Sequence, residues 1–172
     1  QDMERVKRQE KRTIGAANEI AELLGIPSAN RMEAFDISNI SGVLSVASMV
    51  VFEQGKPKKN AYRKFRLRTV TGPDDYASMK EVLSRRFTDE KMDVLPDVIM
   101  MDGGKGQVNV ALMVLDSLGL DIPVCGMVKD DNHRTRGLYY NNVEVKFPKG
   151  SEAMLMVTAL QDLSLIHISE PT

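Results

Sequence analysis

Cysteine is nearly absent: Cys125 is the only one among 172 residues. A lone thiol excludes an intramolecular disulfide and implies no oxidising compartment. Also missing is any apolar run of roughly 18 residues, the least that crosses a bilayer as a helix. No secretory signal pattern opens the chain, so a cytoplasmic location without a membrane partner is expected. An excess of one charge is missing too, since 23 Lys plus Arg face 24 Asp plus Glu for a net charge of −1. That balance carries no global sign of a nucleic-acid partner, and any basic binding surface would have to be local. Internal repeats and low-complexity segments are absent as well. What is present is ordinary for a globular protein, with 42% hydrophobic and 27% charged residues. This much apolar material excludes disorder as the main state, and the length fits one domain with a real core.

Both ends read as cut. The charged run Glu4, Arg5, Lys7, Arg8, Glu10, Lys11 and Arg12 reads as the tail of a solvated helix, and missing upstream residues are expected. Residues 163–172 (LSLIHISEPT) follow an abrupt stop in the helical pattern and resemble a translated cloning or sequencing scar. The expected organisation is a truncated helical lead-in over 1–30, a folded domain over 31–162 and a non-native tail over 163–172.

Within the domain, Ile14, Ala17, Ile20, Ala21 and Leu24 recur at helical spacing after Thr13, a plausible N-cap, and Gly25 with Pro27 stops the helix. Residues 31–37 read as a strand and 38–43 as a turn region. Strands are expected at 44–52 and 61–70, separated by the Gln54-Gly55-Lys56-Pro57 turn, which together make an antiparallel meander. Gly72-Pro73-Asp74-Asp75 caps a helix over 76–87. An apolar strand over 97–101 of the doubly covered kind leads through Gly103-Gly104-Lys105-Gly106 into a helix over 107–118. A strand over 123–128, a polar loop over 129–137 and a hairpin over 138–147 around Asn141-Asn142 follow. Ser151 caps a last helix that runs to about Asp162. The pattern is an α/β fold whose mixed sheet has three antiparallel strands, then parallel βαβ units, with flanking helices. It is the strand order of a ribonuclease H-like fold.

In an open α/β sheet, ligands bind outside the carboxyl ends of the strands where strand order reverses. Here that point lies between the strand ending in Phe35-Asp36-Ile37 and the strand ending in Met101-Asp102-Gly103. As neighbours roughly 4.8 Å apart, both carboxylates reach one divalent cation. A single strand-terminal Asp is commonly a turn former or cap, and the pair at one switch point raises the metal reading beside it. The Gly103–Gly106 turn is no Walker loop, because no Ser or Thr follows Lys105, and no dinucleotide fingerprint, because Asn109 holds the third Gly position. It is a tight turn that needs glycine, or a helix start where free N–H groups and Lys105 hold a backbone phosphate. Seven basic residues and no acidic one fall between Lys56 and Arg68. Alternation puts Tyr62, Lys64, Arg66 and Arg68 on one face, either a plain solvated edge or a phosphate-tracking stripe. In the loop over 129–136, His133 is a surface group or a neutral imidazole that orients water or ligates metal, and Arg134 and Arg136 can pair with phosphate.

Six motifs occur together and in order: Phe35-Asp36-Ile37-Ser38, Val46 to Phe52 (VASMVVF), Tyr62-Arg63-Lys64-Phe65, Gly72-Pro73-Asp74-Asp75-Tyr76, Met101 to Gln107 (MDGGKGQ) and Lys129 to Thr135 (KDDNHRT). With them the chain resembles the C-terminal nuclease domain of UvrC, the incision subunit of the bacterial UvrABC nucleotide excision repair system, from about Thr13 to Asp162. The resemblance implies a ribonuclease H-like endonuclease that uses Mg2+ or Mn2+ to cut on the 5′ side of a lesion. Its partners would be damaged double-stranded DNA and UvrB, within the UvrA-dependent pathway. It implies catalytic roles for Asp36 and Asp102, both as metal ligands, and for Asp75, where helix capping is the plainer reading. Lys105, His133, Arg134, Lys64, Arg66 and Arg68 would contact DNA. The family carries a catalytic His shortly after a Gln-Asp pair that Gln161 and Asp162 match. Here the pattern departs after Asp162, and His167 is not assigned that role. Two other functions compete with this one: a non-catalytic DNA-binding or assembly module on the same fold, and a nucleotide-binding domain using the Gly103–Gly106 turn.

Overall fold

A computed structural model of the chain describes residues 2–40, 44–67 and 74–170. Helix α1 (Asp2–Leu24) is continuous through Thr13, where a helix start was expected. Thr13 Oγ1 instead donates to the Glu10 carbonyl at 3.0 Å, so the hydroxyl bonds back into the turn before it and caps nothing. The helix closes at Gly25, whose φ of +67° no side chain opposes, with the Ile26 N–H on the Ala21 carbonyl at 3.0 Å.

Strand β1 (Arg31–Ile40) runs three residues past its expected end and pairs antiparallel with β2 (Leu44–Glu53) along its whole length. Of the expected third strand over 61–70 only residues 63–66 form strand, and a further short strand falls within the expected Gln54–Pro57 turn. A two-residue strand, β3 (Lys56–Pro57), and a 3-10 turn (Lys59–Ala61) precede β4 (Arg63–Arg66), and both strands pair with β2. Residues 68–70 of that expected strand lie outside the described residues, as do Gly72, Pro73 and residues 41–43 of the expected turn over 38–43, whose first half belongs to β1. Helix α2 (Asp75–Thr88), β5 (Val98–Met101), α3 (Lys105–Ser117) and β6 (Val124–Lys129) form the parallel half. The hairpin β7 (Thr135–Tyr140) and β8 (Val143–Lys146) turns at Asn141 and Asn142, both at positive φ. Helix α4 (Glu152–Ser169) is capped by Ser151, whose hydroxyl accepts from the Met154 N–H at 3.2 Å. It continues seven residues beyond Asp162, because Ser164 stays buried and Leu163 packs on the core.

The sheet order is β3-β2-β1-β5-β6-β7-β8, with β4 also on β2. β1, β5 and β6 are parallel and their outer neighbours antiparallel, the ribonuclease H-like arrangement the strand order predicts. Two cores sandwich the sheet. One, with Ile20, Met32, Val50, Met100 and Leu160, lies under α1 and α4, and the other, with Phe35, Val51, Leu83, Met101 and Leu115, under α2 and α3. The second face also holds a fully buried ion pair. Arg86 donates from Nε and Nη2 to the two oxygens of Glu33 at 2.9 and 2.8 Å, and its remaining N–H groups reach the Met92 and Val94 carbonyls. The pair ties the end of α2, and the segment leading to β5, to the start of β1.

Candidate active site

Strand parity decides which side chains meet at the switch point. Met32, Ala34, Val98 and Met100 face α1 and α4, whereas Phe35, Ile99 and Met101 face α2 and α3. Asp36 and Asp102 continue the first set. The register pairs Phe35 with Met101, and the Asp102 N–H reaches the Phe35 carbonyl at 3.4 Å. The two aspartates therefore sit side by side, one step beyond the last residues that pair β1 with β5.

The two carboxylates have different surroundings. Asp102 accepts an ion pair from Lys129 at the end of β6, Nζ to Oδ1 at 2.7 Å. Asp36 Oδ1 accepts the N–H of Ile37 at 2.8 Å. Burial still pushes the Asp36 carboxyl up to about 6, the charge of Asp102 adds to the rise and Asp75 adds less, while the Ile37 N–H and Lys129 oppose it. Two adjoining carboxylates on a half-buried rim repel each other, and an added positive charge relieves that repulsion. Lys129 supplies one such charge. As oxygen donors, the two carboxylates suit a divalent cation, and among the described residues no third His, Cys, Asp or Glu side chain joins them in a metal-binding group.

Asp74, not Asp75, caps α2: its Oδ1 accepts the Ala77 N–H at 3.0 Å. Asp75 is the first residue of the helix and lines, with Asp102, an open cleft of about 760 Å3. The opposite wall of that cleft is the start of α3. Gly104 occupies its N-cap with no side-chain cap bond, and Lys105 follows, its Nζ 5.6 Å from the centre of the Tyr139 ring. Tyr76 closes the cleft between α2 and α3. Its hydroxyl lies 2.1 Å from where a Cβ on Gly106 would stand, so glycine there makes room for the ring.

The loop after β6 is a tight turn on one carboxylate. Asp130 Oδ1 accepts the N–H groups of Asn132 and Arg134 at 2.9 and 3.0 Å. Those bonds, with Arg134 first, hold the Asp130 carboxyl below its usual range. The turn puts His133 at a φ of +61° and leaves His133 and Arg134 exposed. On the other side of the sheet, Phe65 and Leu67 are buried and Arg66 is exposed, as the alternation predicts. Lys64 is half-buried and donates from Nζ to the Glu170 carbonyl. Arg68 lies outside the described residues.

Three contributors were not singled out in the sequence. Lys129 ends an apolar strand beside one that ends in Asp, which is the signal for its pairing. Gly126 lies inside β6, and a Cβ there would stand 2.7 Å from the Gly103 carbonyl oxygen. A lone glycine within a strand pattern marks such a close backbone approach, here one that seats the Asp102-Gly103 turn. Gln161, matched only to a family motif, is buried on α4 and accepts from the Thr135 hydroxyl at the start of β7.

A family model described as the UvrC RNAse H endonuclease domain matches residues 21–164. The chain belongs to this family. Among curated UvrABC system protein C sequences, that of Lachnospira eligens is 61% identical over 94% of this chain and 28% of its own length. That of Clostridium novyi is 51% identical over 87% of this chain and 27% of its own length. The chain thus spans a little over a quarter of the UvrC relatives it matches. Solved structures with a similar outline include Ciona intestinalis Endonuclease V in complex with a DNA 24mer, at 12% identity and a TM-score of 0.43, covering 97% of this chain and 70% of that one. Human ENDOV gives 11% identity and a TM-score of 0.41, covering 71% and 67%. Among the described residues of this UvrC domain, no helix is long and apolar enough to cross a membrane.

Proposed function

We propose that this domain is a metal-dependent DNA endonuclease that makes the 5′ incision in bacterial nucleotide excision repair. The observation that carries this reading is the pair of adjoining carboxylates, Asp36 and Asp102, at the switch point of a UvrC-family endonuclease domain. Asp36 and Asp102 would hold Mg2+ or Mn2+. Such an ion, when bound, makes water a nucleophile at neutral pH and neutralises charge on the phosphoryl oxygens.

The chain's own residues do the positioning. Lys129 fixes the orientation of Asp102 through the 2.7 Å ion pair. Asp75 adds negative charge on the α2 side of the cleft. Lys105, at the uncapped start of α3, and Arg134 bind phosphates of the cut strand, and His133 orients solvent or a phosphate oxygen beside them. Lys64, Arg66 and Arg68 track the DNA backbone along β4 and its continuation. The partners are damaged double-stranded DNA and UvrB of the repair complex, which places the protein in the cytoplasm.

The test is Asp36→Asn in the full-length protein on a lesion-bearing duplex. The 5′ nick is lost and the 3′ nick persists. A normal 5′ nick from that variant overturns the role given to Asp36. DNA binding that responds to salt, with nicking indifferent to both Asp36→Asn and Asp102→Asn, would mark a non-catalytic binding module instead.

A further inference from the structure

β2 is apolar over Val46–Phe52 except at one position. Ser48 interrupts the run VASMVVF, is 0% exposed, and its hydroxyl has no hydrogen-bond partner among the described residues. An unpartnered buried hydroxyl is destabilising, and replacing such a group with an apolar one of similar shape is usually harmless or favourable. Small size alone does not explain the serine, since alanine is as compact and the chain uses it one residue earlier, at Ala47.

The register shows what lies opposite. Ser48 pairs directly with Asp36 across β1 and β2. Directly opposed residues of an antiparallel pair point to the same face, with Cβ atoms roughly 4.5–5.5 Å apart. That separation is within reach of a hydroxyl-to-carboxylate hydrogen bond after a side-chain rotation. Val50 and Phe52 lie on the same face of β2, under α1 and α4, so Ser48 stands on that covered face, with no access to solvent. Asp36 at present turns its Oδ1 to the N–H of Ile37. Its charged form has one buried donor in reserve across the strand.

We infer that Ser48 is a positioning residue for Asp36: its hydroxyl donates to the Asp36 carboxylate and fixes the orientation in which Asp36 holds its cation. The inference rests on the reading of Asp36 as a metal ligand given above. Hydrogen bonds to ligating carboxylates of this kind set metal affinity, and losing one costs on the order of 10-fold or more.

The experiment is calorimetric titration of Mn2+ into this chain and its Ser48→Ala, Ser48→Cys and Ser48→Thr variants, beside Asp36→Asn. Thermal unfolding of each is followed without metal. Ser48→Ala and Ser48→Cys are expected to bind Mn2+ about 10-fold more weakly, with metal-free melting temperatures equal to or above that of the parent. Ser48→Thr keeps a hydroxyl and is expected to keep the affinity. In the full-length protein the same two weakened variants lower kcat for the 5′ nick and leave KM for DNA unchanged. Ser48→Ala binding Mn2+ as the parent does, while Asp36→Asn loses it, overturns the role of Ser48 and leaves the metal reading standing. Affinity that follows side-chain volume, retained in Ser48→Cys and lost in Ser48→Ala, marks plain packing and also overturns it. If Asp36→Asn itself keeps the parent's affinity, the metal reading fails and the inference about Ser48 falls with it.

Discussion

Asp36 has a pH-dependent cost built into the fold. Its carboxyl moves from 3.8 to about 6, with burial the larger cause and the charge of Asp102 the next. A carboxyl whose value is higher in the folded than in the unfolded chain favours folding fully only below its unfolded value. That contribution is lost as pH rises through the folded value. Without divalent ions, the chain should therefore lose up to about 3 kcal/mol from this one group between about pH 4 and pH 7. Asp36→Asn removes the titration. It should be more stable than the parent by about 1–3 kcal/mol near pH 7.5, and no more stable near pH 4. Urea unfolding in a chelating buffer at the two pH values measures the difference, and a difference that is equal at both would contradict the account of Asp36. Cys125 is the opposite kind of residue. It is fully buried against Met100 and the Ile99 carbonyl, and burial alone pushes its thiol up, so it fills core and takes no part in the rim.

Elements meet the rim through contacts made far from it. The Glu33–Arg86 pair is fully buried, and Arg31 adds a second cation to Glu33 at 3.0 Å while donating to Glu53 at 2.9 Å. Removing one partner of a buried pair leaves the other charge desolvated, which costs more than the pair contributes. Glu33→Gln or Arg86→Met alone should lower unfolding free energy by about 3–5 kcal/mol, and the double variant Glu33→Met with Arg86→Met should recover much of that loss. Urea denaturation of the four proteins tests this, and single variants within about 1 kcal/mol of the parent would show the pair to be slack. The helices, and the strands of the parallel half, were legible in the sequence because their periodicity and caps agree, as at Ser151 and Asp74. The short strand β3 inside the expected turn was not. Nothing local shows that Lys58 donates its N–H to the Val51 carbonyl at 2.8 Å, a contact that ends β3 and sets the 3-10 turn before β4. The length of α1 was misjudged for a related reason: Thr13 is a common cap, and only its back-bond to Glu10 shows that it lies mid-helix.

For the whole molecule, a net charge of −1 is an average over separated surfaces. Acidic groups gather where β1, β5 and α2 converge, while the cations of β4, α3 and the loop after β6 lie around them. A duplex laid across this surface would meet its positive parts with phosphates. DNA binding by the chain should thus weaken steeply with salt despite the neutral total, and Arg66→Ala and Lys105→Ala should each reduce the slope of log affinity against log salt by about 1. Fluorescence anisotropy over a salt series measures it. Loss of affinity with an unchanged slope would mean that these residues do not contact phosphate.

The sequence alone determined the order and kind of nearly every element, the separation of basic and acidic segments, and Asp102 as an acid at a strand end, because these follow from local pattern: periodicity, caps and turn residues; Asp36, expected at a strand end, lies inside β1, which continues to Ile40. Only the tertiary structure decided that the two aspartates share one face, that Lys129 pairs with one of them, that Gly126 makes room for the Asp102-Gly103 turn, and that Ser48 lies across the strand from Asp36. Each of these depends on register and parity between strands distant in sequence. A shift of one residue would send every one of those side chains to the opposite face, and pairing across the sheet sets that register, not any segment by itself.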